Sequence, residues 1–300
     1  LKLIKNKLGN YFTVINGDTF FDINIHDLFK NFKKKKYLGI IATTINNNRR
    51  FGYLYQRQNK KFVNAGIYIF SKEIFKLYEK KEFISLENDV FPLAIKKKLI
   101  QFKSYVEKKN KFIDIGIHKD LKKSPVFIKK VFNKPALFLD RDGVINKDLG
   151  YVHKIEDFKW MKDIKTIIKY FNDKLFYVIV LTNQSGIGRG YYSLEKMEQL
   201  HSWINASLNK NGSFIDKFYY SPYFKFSKKY NKKKYLVMRK PNNGMIKKAC
   251  NDWNINIKKS LFIGDQISDF QLAKSMKLKY YMVKQNNLKK IFSEIKKFFN

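Results

Sequence analysis

The sequence predicts an α/β protein of two domains, and three observations support that prediction. The chain has 300 residues, 44% of them apolar, which is enough for a hydrophobic core in each half. Short runs rich in β-branched and aromatic residues alternate with amphipathic segments along both halves. A lysine-rich stretch with Pro125 and Pro135 lies between them. We therefore expect domains at residues 1–121 and 135–300, joined by a linker at 122–134.

Lysine dominates the charge of the chain. Lys and Arg number 62 against 25 Asp and Glu, a formal net charge of +37, yet only six of the 62 are Arg. Because contacts with phosphate and guanine favour arginine, we interpret the lysines as a compositional background and do not expect a nucleic-acid partner. The single Cys250 excludes an internal disulfide and a multi-cysteine metal site. With no apolar run of membrane-spanning length, we expect a cytoplasmic protein without a membrane partner; the oligomeric state stays open.

In the first half, β-rich runs predict a series of strands. They are expected at Tyr11 to Ile15, Tyr37 to Thr44, Gly66 to Phe70, Leu99 to Tyr105 and Lys111 to Ile115. Ser71 is a suitable N-cap for a helix that follows the third of these strands. The chain opens with Leu1 rather than Met, and we expect a fragment that lacks its true start.

The second half predicts an open, mostly parallel sheet, because strands and helices alternate. Strands are expected at Ala136 to Leu139, Leu175 to Leu181 and Ser260 to Ile263, and helices at Ile164 to Phe171, from Ser193 to just before Gly212, and at Ser268 to Met276. Polar clusters adjoin these elements at Asp140 to Gly143, Thr182 to Gln184, Arg239 to Pro241 and Gly264 to Asp269. Since parallel strands place their carboxyl ends at one edge, the clusters are expected to converge there. Converging carboxylates repel unless a cation compensates, and their oxygen ligands favour Mg²⁺.

The combination of Asp-x-Asp-Gly after a strand, a strand-end Thr, a Lys before a helix and Gly-Asp-x-x-x-Asp resembles the haloacid dehalogenase superfamily of phosphohydrolases, across residues 136–285. The resemblance implies a Rossmann-like sheet and a nucleophile, Asp140, that forms an aspartyl-phosphate. Asp142 would act as the acid and then as the base. Thr182 would donate a hydrogen bond to the phosphoryl group, and Lys240 would neutralise its charge.

The same resemblance implies a Mg²⁺ site. Asp265 would complete it together with Asp140 and the backbone carbonyl of Asp142. Asp269 would support the waters of the metal or orient Lys240, although an Asp after a strand is also a common N-cap or turn residue.

The sequence around these motifs is similar to that of the D-glycero-D-manno-heptose 1,7-bisphosphate 7-phosphatases and, less specifically, to that of the related histidinol-phosphate phosphatases. It comprises residues 140–146, 150–153, 182–191 and 239–245. By this resemblance, the substrate would be held by Asn183, Gln184, Ser185, Arg189 and Arg239, with Arg239 suited to a second phosphate. These families often carry a zinc loop, but residues 220–223 and 236–238 contain neither Cys nor His. We therefore expect Mg²⁺ and no zinc.

Residues 11–121 resemble the later portion of sugar-phosphate nucleotidyltransferases, through Ile15 to Phe21, Phe51-Gly52, Asn64 to Phe70, Ser85 to Pro92 and Phe112 to Gly116. By this resemblance, Asp18 and Asp114 would match Mg²⁺ ligands, and Asn64 and Gly66 would line a sugar pocket. The glycine-rich nucleotide loop and a phosphate-binding lysine are not found, so this half is expected to be a vestigial site without transferase activity.

Three hypotheses follow for the whole chain. The first is a Mg²⁺-dependent phosphatase that removes the 7-phosphate of the heptose bisphosphate during nucleotide-heptose and cell-surface polysaccharide synthesis. The pairing with a nucleotidyltransferase-like half favours it over the second, a phosphatase for histidinol phosphate or another small ester. The third is a non-catalytic scaffold or binding protein.

Overall fold

The chain forms two units, each with its own hydrophobic cores, at Leu1–Val131 and Phe132–Asn300. The computed structural model describes residues 2–46, 54–78, 85–106, 111–284 and 287–299. The Phe51-Gly52 part of the nucleotidyltransferase resemblance lies outside these residues. Within the described residues, no helix is both long and apolar enough to cross a membrane.

A mixed five-stranded sheet organises the first unit. Its strands are β1 (Tyr11–Ile15), β3 (Gly39–Ile45), β4 (Tyr55–Arg57), β5 (Lys60–Ser71) and β6 (Ile100–Ser104), and a separate pair consists of β2 (Thr19–Phe21) and β7 (Phe112–Asp114). β5 pairs antiparallel with β1 and β3, and β6 runs parallel to β3. Both faces of β5 are buried: Ile67 and Ile69 enter one core, while Tyr68 and Phe70 enter the other, as the two-residue period of a strand requires.

Short helices surround this sheet. They are α1 (Ile25–Asn31), α2 (Phe91–Lys96) and α3 (His118–Val131), with 3₁₀ turns at Lys2–Lys7 and Lys72–Tyr78 and a π turn at Leu86–Val90. The predicted linker is largely helical, because α3 covers most of it. Its lysines favour helix formation, and the helix continues through Pro125.

The second unit contains a five-stranded sheet in which all pairs are parallel, in the order β10-β9-β8-β11-β12. The strands are β8 (Ala136–Leu139), β9 (Tyr177–Asn183), β10 (Lys217–Ser221), β11 (Leu261–Gly264) and β12 (Lys279–Met282). The predicted parallel α/β fold is confirmed, although the sequence did not predict β10 and β12. The chain turns from one side of β8 to the other between β10 and β11, and such a switch point opens a crevice at the carboxyl ends of the strands.

Helices cover the sheet of the second unit. They are α4 (Ile164–Asp173), α5 (Ser185–Arg189), α6 (Leu194–Asn209), α7 (Lys233–Met238), α8 (Gly244–Asp252), α9 (Ile267–Ser275) and α10 (Leu288–Phe299), with a 3₁₀ turn at Ile257–Lys259. The predicted cap of α6 is confirmed, since Ser193 Oγ accepts a hydrogen bond from Lys196 N at 3.3 Å.

Candidate active site

The polar clusters of the second unit meet at the carboxyl edge of its sheet. β8 leads into Asp140, β9 ends at Asn183, and β11 leads into Asp265. A cavity of about 240 Å³ opens at this edge. It is lined by Asp140, Asp142, Asp148, Gly150, Tyr151, Thr182, Asn183, Gln184, Tyr192, Lys240, Gln266 and Ser268. Six of the residues predicted for catalysis or substrate binding are therefore brought to one cavity.

A buried charge cluster forms the floor of the site. Lys240 Nζ lies 2.7 Å from Asp140 Oδ1 and 2.7 Å from Asp269 Oδ1. Burial raises the pKa of Asp140 to about 8, although the charge of Lys240 opposes that shift. Burial by itself would lower the pKa of Lys240, but its two carboxylate partners raise it above the ordinary value. The ammonium group thus stays charged and lies between two buried carboxyl groups.

The backbone of Lys240 is held separately from its side chain. Lys240 N donates to Asn183 Oδ1 at 3.0 Å, and Asn183 Nδ2 donates to Lys240 O at 3.3 Å. This reciprocal pair fastens the loop before α8 to the end of β9. Asn183 lines the cavity and also positions Lys240.

Three carboxylates could hold a metal ion. Asp140, Asp265 and Asp269 each offer an oxygen, and these oxygens lie within 4.8 Å of one another. Asp269 Oδ2 already accepts hydrogen bonds from the backbone N–H groups of Asp265 and Gln266, at 3.2 and 3.1 Å. Asp265 Oδ1, in contrast, is buried and has no hydrogen-bond partner among the residues that the structure describes. An orphaned carboxylate oxygen beside two others fits a divalent cation, so the residues present match the predicted group.

Gly143 allows Asp265 to approach the turn after β8. Its φ is +82°, and a Cβ at this position would lie 2.2 Å from Asp265 Oδ2. A side chain would therefore both strain the backbone and displace the carboxylate. The Asp-x-Asp-Gly turn thus requires a glycine for steric reasons.

Asp142 is surrounded by hydrogen-bond donors. The guanidinium of Arg141 donates to both of its oxygens, with Nη2 at 2.8 and 2.9 Å. Asn146 Nδ2 donates to Oδ1 and Gln184 Nε2 to Oδ2, each at 3.0 Å. Arg141 is itself fully buried and also donates to the carbonyl of Val152 at 2.6 Å. The Asp142 carboxylate is consequently fixed in one orientation at the cavity wall.

The remaining predicted substrate residues lie beside the cavity rather than on its lining. Arg189 stacks over the ring of Phe224, with 4.0 Å between the guanidinium carbon and the ring centroid, and is 6.0 Å from the ring of Tyr151, which lines the cavity. Burial and the charge of Arg189 lower the pKa of Arg239. The positive charge of Arg189 thus acts on Arg239, whose neighbour in sequence, Lys240, lines the cavity. Ser185 begins α5 and is not among the lining residues.

The segment between β10 and Arg239, where the sequence offers no zinc ligands, is held by polar and aromatic contacts. Ser221 Oγ donates to the carbonyl of Tyr235 at 2.8 Å, and the rings of Tyr230 and Tyr235 form an edge-on pair with centroids 5.2 Å apart. Phe224 and Phe226 form a second such pair at 5.5 Å. These contacts connect the segment after β10 to the segment before Arg239.

In the first unit, the four predicted residues lie on or next to three strands: Asp18 precedes β2, Asp114 ends β7, and Asn64 and Gly66 are on β5. β2 and β7 pair Thr19 with Asp114, so Asp18 and Asp114 are neighbours, and Ile115 N donates to the carbonyl of Asp18 at 2.7 Å. Asn64 Nδ2 donates to the hydroxyl of Tyr68 at 2.7 Å. Gly66 packs so closely that a Cβ would meet Thr19 at 2.9 Å. Asp18 is exposed and Asp114 half-buried, in contrast to the buried cluster of the second unit.

Sequence reasoning missed Arg141, Tyr192 and His201. His201 is buried, stacks on Phe218 with ring centroids 4.2 Å apart, and its Nε2 lies 3.5 Å from Arg141 Nη1. Burial lowers the pKa of His201 to about 3, so it packs as a neutral ring. The scarcity of arginine was a usable signal for Arg141, since an Arg between two candidate aspartates in a lysine-rich chain is not background.

Comparison with known proteins finds matches for the second unit. Residues 137–299 match the family model described as polynucleotide kinase 3 phosphatase. The chain is 38% identical over 148 residues to D-glycero-beta-D-manno-heptose-1,7-bisphosphate 7-phosphatase of Haemophilus ducreyi, an alignment that covers 49% of this chain and 80% of that protein. It is 40% identical over 136 residues to D-glycero-alpha-D-manno-heptose-1,7-bisphosphate 7-phosphatase of Campylobacter jejuni, covering 45% and 74% respectively.

Among solved structures, the chain matches D,D-heptose 1,7-bisphosphate phosphatase from B. bronchiseptica, complexed with magnesium and phosphate. The TM-score is 0.46 and the identity 22%, with 53% of this chain and 86% of that chain covered.

Proposed function

The chain belongs, through residues 137–299, to the polynucleotide kinase 3 phosphatase family of haloacid dehalogenase-type phosphatases, and from this membership we propose that its second unit removes a phosphate group from a phosphorylated sugar. Membership makes the chain a phosphoric monoester hydrolase. The substrate, the residue roles and the metal are argued below from the cavity.

Asp140 is the proposed nucleophile. Its carboxylate would attack phosphorus, form an aspartyl-phosphate and displace the sugar oxygen, so that one difficult displacement becomes two easier ones. Lys240, 2.7 Å from Asp140 Oδ1, favours the ionised carboxylate and would meet the charge of the phosphoryl group. Asp269 holds the other side of the ammonium group, which supports its predicted role in orienting Lys240.

Asp142 and Thr182 complete the proposed reaction. Asp142 would protonate the leaving sugar oxygen and then take a proton from the water that hydrolyses the aspartyl-phosphate. Thr182 Oγ1 would donate a hydrogen bond to a non-bridging phosphoryl oxygen. Asp140 and Asp265, with the backbone carbonyl of Asp142, are the proposed Mg²⁺ ligands, and Asp269 is proposed to orient Lys240. When bound, Mg²⁺ would reduce the repulsion between the carboxylates and the phosphoryl oxygens.

The proposed substrate is D-glycero-D-manno-heptose 1,7-bisphosphate. The relatives above carry that activity in their names, for both anomers. The paired Arg189 and Arg239 beside the cavity support a bisphosphate, since guanidinium groups bind phosphate through two parallel hydrogen bonds. Binding energy from this second phosphate would orient the reacting one.

The observation that carries the proposal is the convergence of Asp140, Asp142, Thr182 and Lys240 on one cavity. It is tested by phosphate release from the heptose bisphosphate, histidinol phosphate and p-nitrophenyl phosphate, each with Mg²⁺. Selective turnover of the bisphosphate is expected. Selective turnover of histidinol phosphate would replace the substrate, and turnover of none would favour the scaffold hypothesis.

Arg239→Met should act mainly on recognition of the second phosphate. We expect kcat/KM for the bisphosphate to fall about 10- to 100-fold, because a charge-assisted contact is lost, while hydrolysis of p-nitrophenyl phosphate stays within about twofold. Steady-state kinetics with both substrates would measure this. An equal loss on both would mean that Arg239 supports the fold of the site instead.

For the first unit we propose no catalytic activity. Its sequence resembles a nucleotidyltransferase, and this favours a place for the chain in nucleotide-heptose synthesis for cell-surface polysaccharide. Removal of the 7-phosphate leaves a heptose 1-phosphate, which a nucleotidyltransferase would consume. Asp18, Asn64, Gly66 and Asp114 stay predictions of a vestigial site.

A further inference from the structure

Gln184 joins two residues of the proposed reaction by hydrogen bonds. They are Asp142, the proposed acid, and Thr182, the proposed hydrogen-bond donor to the phosphoryl group. The side chain of Gln184 is almost fully buried, and its polar atoms contact Thr182, Asp142 and Tyr192. We propose that Gln184, oriented by Tyr192, is a positioning residue that fixes the Thr182 hydroxyl as a donor toward the phosphoryl group and holds the second oxygen of Asp142. This inference rests on the proposed phosphatase function and replaces direct substrate binding as the role of Gln184.

The orientation of the Gln184 amide is fixed by chemistry. Both oxygens of Asp142 accept hydrogen bonds from Arg141 Nη2, and Oδ1 also accepts one from Asn146 Nδ2, so the surroundings of Asp142 present donors to it. The group of Gln184 that lies 3.0 Å from Asp142 Oδ2 must therefore be the NH₂, because an amide oxygen there would face a second acceptor. The amide oxygen then points the other way, to Tyr192.

That orientation determines what Thr182 can do. The second hydrogen of Gln184 Nε2 points to Thr182 Oγ1, at 2.7 Å, so the hydroxyl oxygen accepts. This is the one hydrogen bond that the hydroxyl makes within the described part of the chain, and its own hydrogen is left for another acceptor. A non-bridging phosphoryl oxygen in the adjoining cavity is the acceptor that the reaction supplies.

Tyr192 keeps the amide from rotating. Its hydroxyl donates to Gln184 Oε1 at 2.6 Å, and burial raises the pKa of Tyr192 to about 12, so the donor proton is retained. The ring is stacked on His153, with centroids 4.6 Å apart, and lies against Gly186, where a Cβ would meet it at 2.2 Å. The Tyr192 ring thus has little room to move, and its hydroxyl has one partner of fixed polarity.

Few groups of Gln184 are free for substrate. An amide side chain offers two hydrogens and two acceptor positions, and three of these four are used by Asp142, Thr182 and Tyr192. The arrangement orders protons at the two reacting groups before substrate arrives, which is a form of preorganisation.

Tyr192→Phe is the mild test, since it removes one hydroxyl and no ring. We expect kcat for the bisphosphate to fall about tenfold with KM changed less than about threefold, because the Gln184 amide then loses the hydrogen bond at its oxygen and holds Thr182 and Asp142 less rigidly. The matched control is Tyr191→Phe, on an exposed neighbouring ring, which should leave kcat unchanged. Equal kcat for wild type and Tyr192→Phe would overturn the proposal.

Gln184→Glu reverses the polarity of the network at constant size, whereas Gln184→Met only removes it. The carboxylate would accept a hydrogen bond from the Thr182 hydroxyl and would repel Asp142. We therefore expect kcat to fall about 100-fold in Gln184→Glu, a larger loss than in Gln184→Met. In a double-mutant cycle, part of that loss should disappear in the Thr182→Val background, where no hydroxyl remains to be misdirected. Fully additive losses would contradict the proposed route through Thr182.

Two measurements separate this inference from the function on which it rests. Turnover by wild type, abolished in Asp140→Asn, must be seen first; its absence would refute the phosphatase. Circular dichroism and melting curves of each variant then show whether the fold is kept. A folded, active wild type with an unaffected Tyr192→Phe would refute the positioning role alone.

Discussion

Two groups of acidic residues, one in each unit, were singled out by the same kind of sequence evidence, but they lie in different surroundings. In the second unit, Asp140 and Asp269 are buried and share Lys240. In the first unit, Asp18 is exposed and Asp114 half-buried, next to each other on an antiparallel pair. A carboxylate in water costs the fold little, whereas a buried one must be paired or bound. Burial, more than proximity, marks the site that can perform chemistry.

The topology of the two sheets accounts for part of this difference. In the second unit every strand pair is parallel, so all strand ends of one kind meet at one edge. In the first unit, antiparallel pairs distribute the strand ends over both edges of the sheet. Parallel topology thus gathers Asp140, Thr182 and Asp265 although they are far apart in sequence.

The strongest way to break this comparison is Asp140→Asn. We expect turnover of the heptose bisphosphate to fall by at least about 10³-fold, because an amide cannot form the acyl-phosphate. Phosphate release measures the loss, and the melting temperature reports the fold. Asp173→Asn, at an exposed ion pair on α4, is the matched control and should retain full activity. Activity retained in Asp140→Asn would remove the distinction between the two units.

Asp216 lies away from the cavity and tests whether burial raises the pKa of a carboxyl group there, as it does at Asp140. Burial raises the pKa of Asp216 to about 6, against the hydrogen bond that its Oδ2 accepts from Val178 N at 2.7 Å. A raised carboxyl pKa means that the folded state binds the proton more tightly. The contribution of Asp216 to the free energy of unfolding therefore falls as pH rises from about 4 to about 6, by roughly 3 kcal/mol in total.

Asp216→Asn should abolish that pH dependence and make the protein more stable at pH 7. Denaturant unfolding of wild type and variant between pH 4 and 7 measures the difference, with Asp173→Asn as control. The two proteins must be compared with each other, because the lowered pKa of His201, about 3, makes the stability of wild type rise with pH below pH 6.5, opposite to the effect of Asp216. A pH-independent difference between wild type and Asp216→Asn would contradict the expectation.

The smallest effect concerns the orphaned oxygen of Asp265. Without metal, Asp265→Asn should leave stability unchanged or raise it, because a partly buried carboxylate is replaced by a neutral group. Millimolar Mg²⁺ should raise the melting temperature of wild type by about 5 °C and that of Asp265→Asn much less. Scanning calorimetry with EDTA or Mg²⁺ would show this. The same Mg²⁺ response in both proteins would exclude Asp265 as a ligand.

Several elements were predictable because their signal is local. β1 and β8 were predicted with their observed bounds, and Ser193 was correctly predicted as the cap of α6. β10 was missed, since Lys217 to Ser221 reads as a half-exposed edge without clear alternation. The lysines and Pro125 of α3 are typical of a linker and led to that prediction for residues 122–134, although lysine also favours helices.

The sequence alone determined the α/β class and the set of acidic and basic residues that the second unit uses, because strand periodicity and motif spacing are written in consecutive residues. Only the tertiary structure decided which of them are buried together. The pairing of Lys240 with Asp140 and Asp269, and the hydrogen bond from Gln184 to Asp142, join residues from separate segments. Such contacts depend on how strands stack at one edge of a sheet and on which side chains are then closed to water, and neither is encoded in any single stretch of the chain.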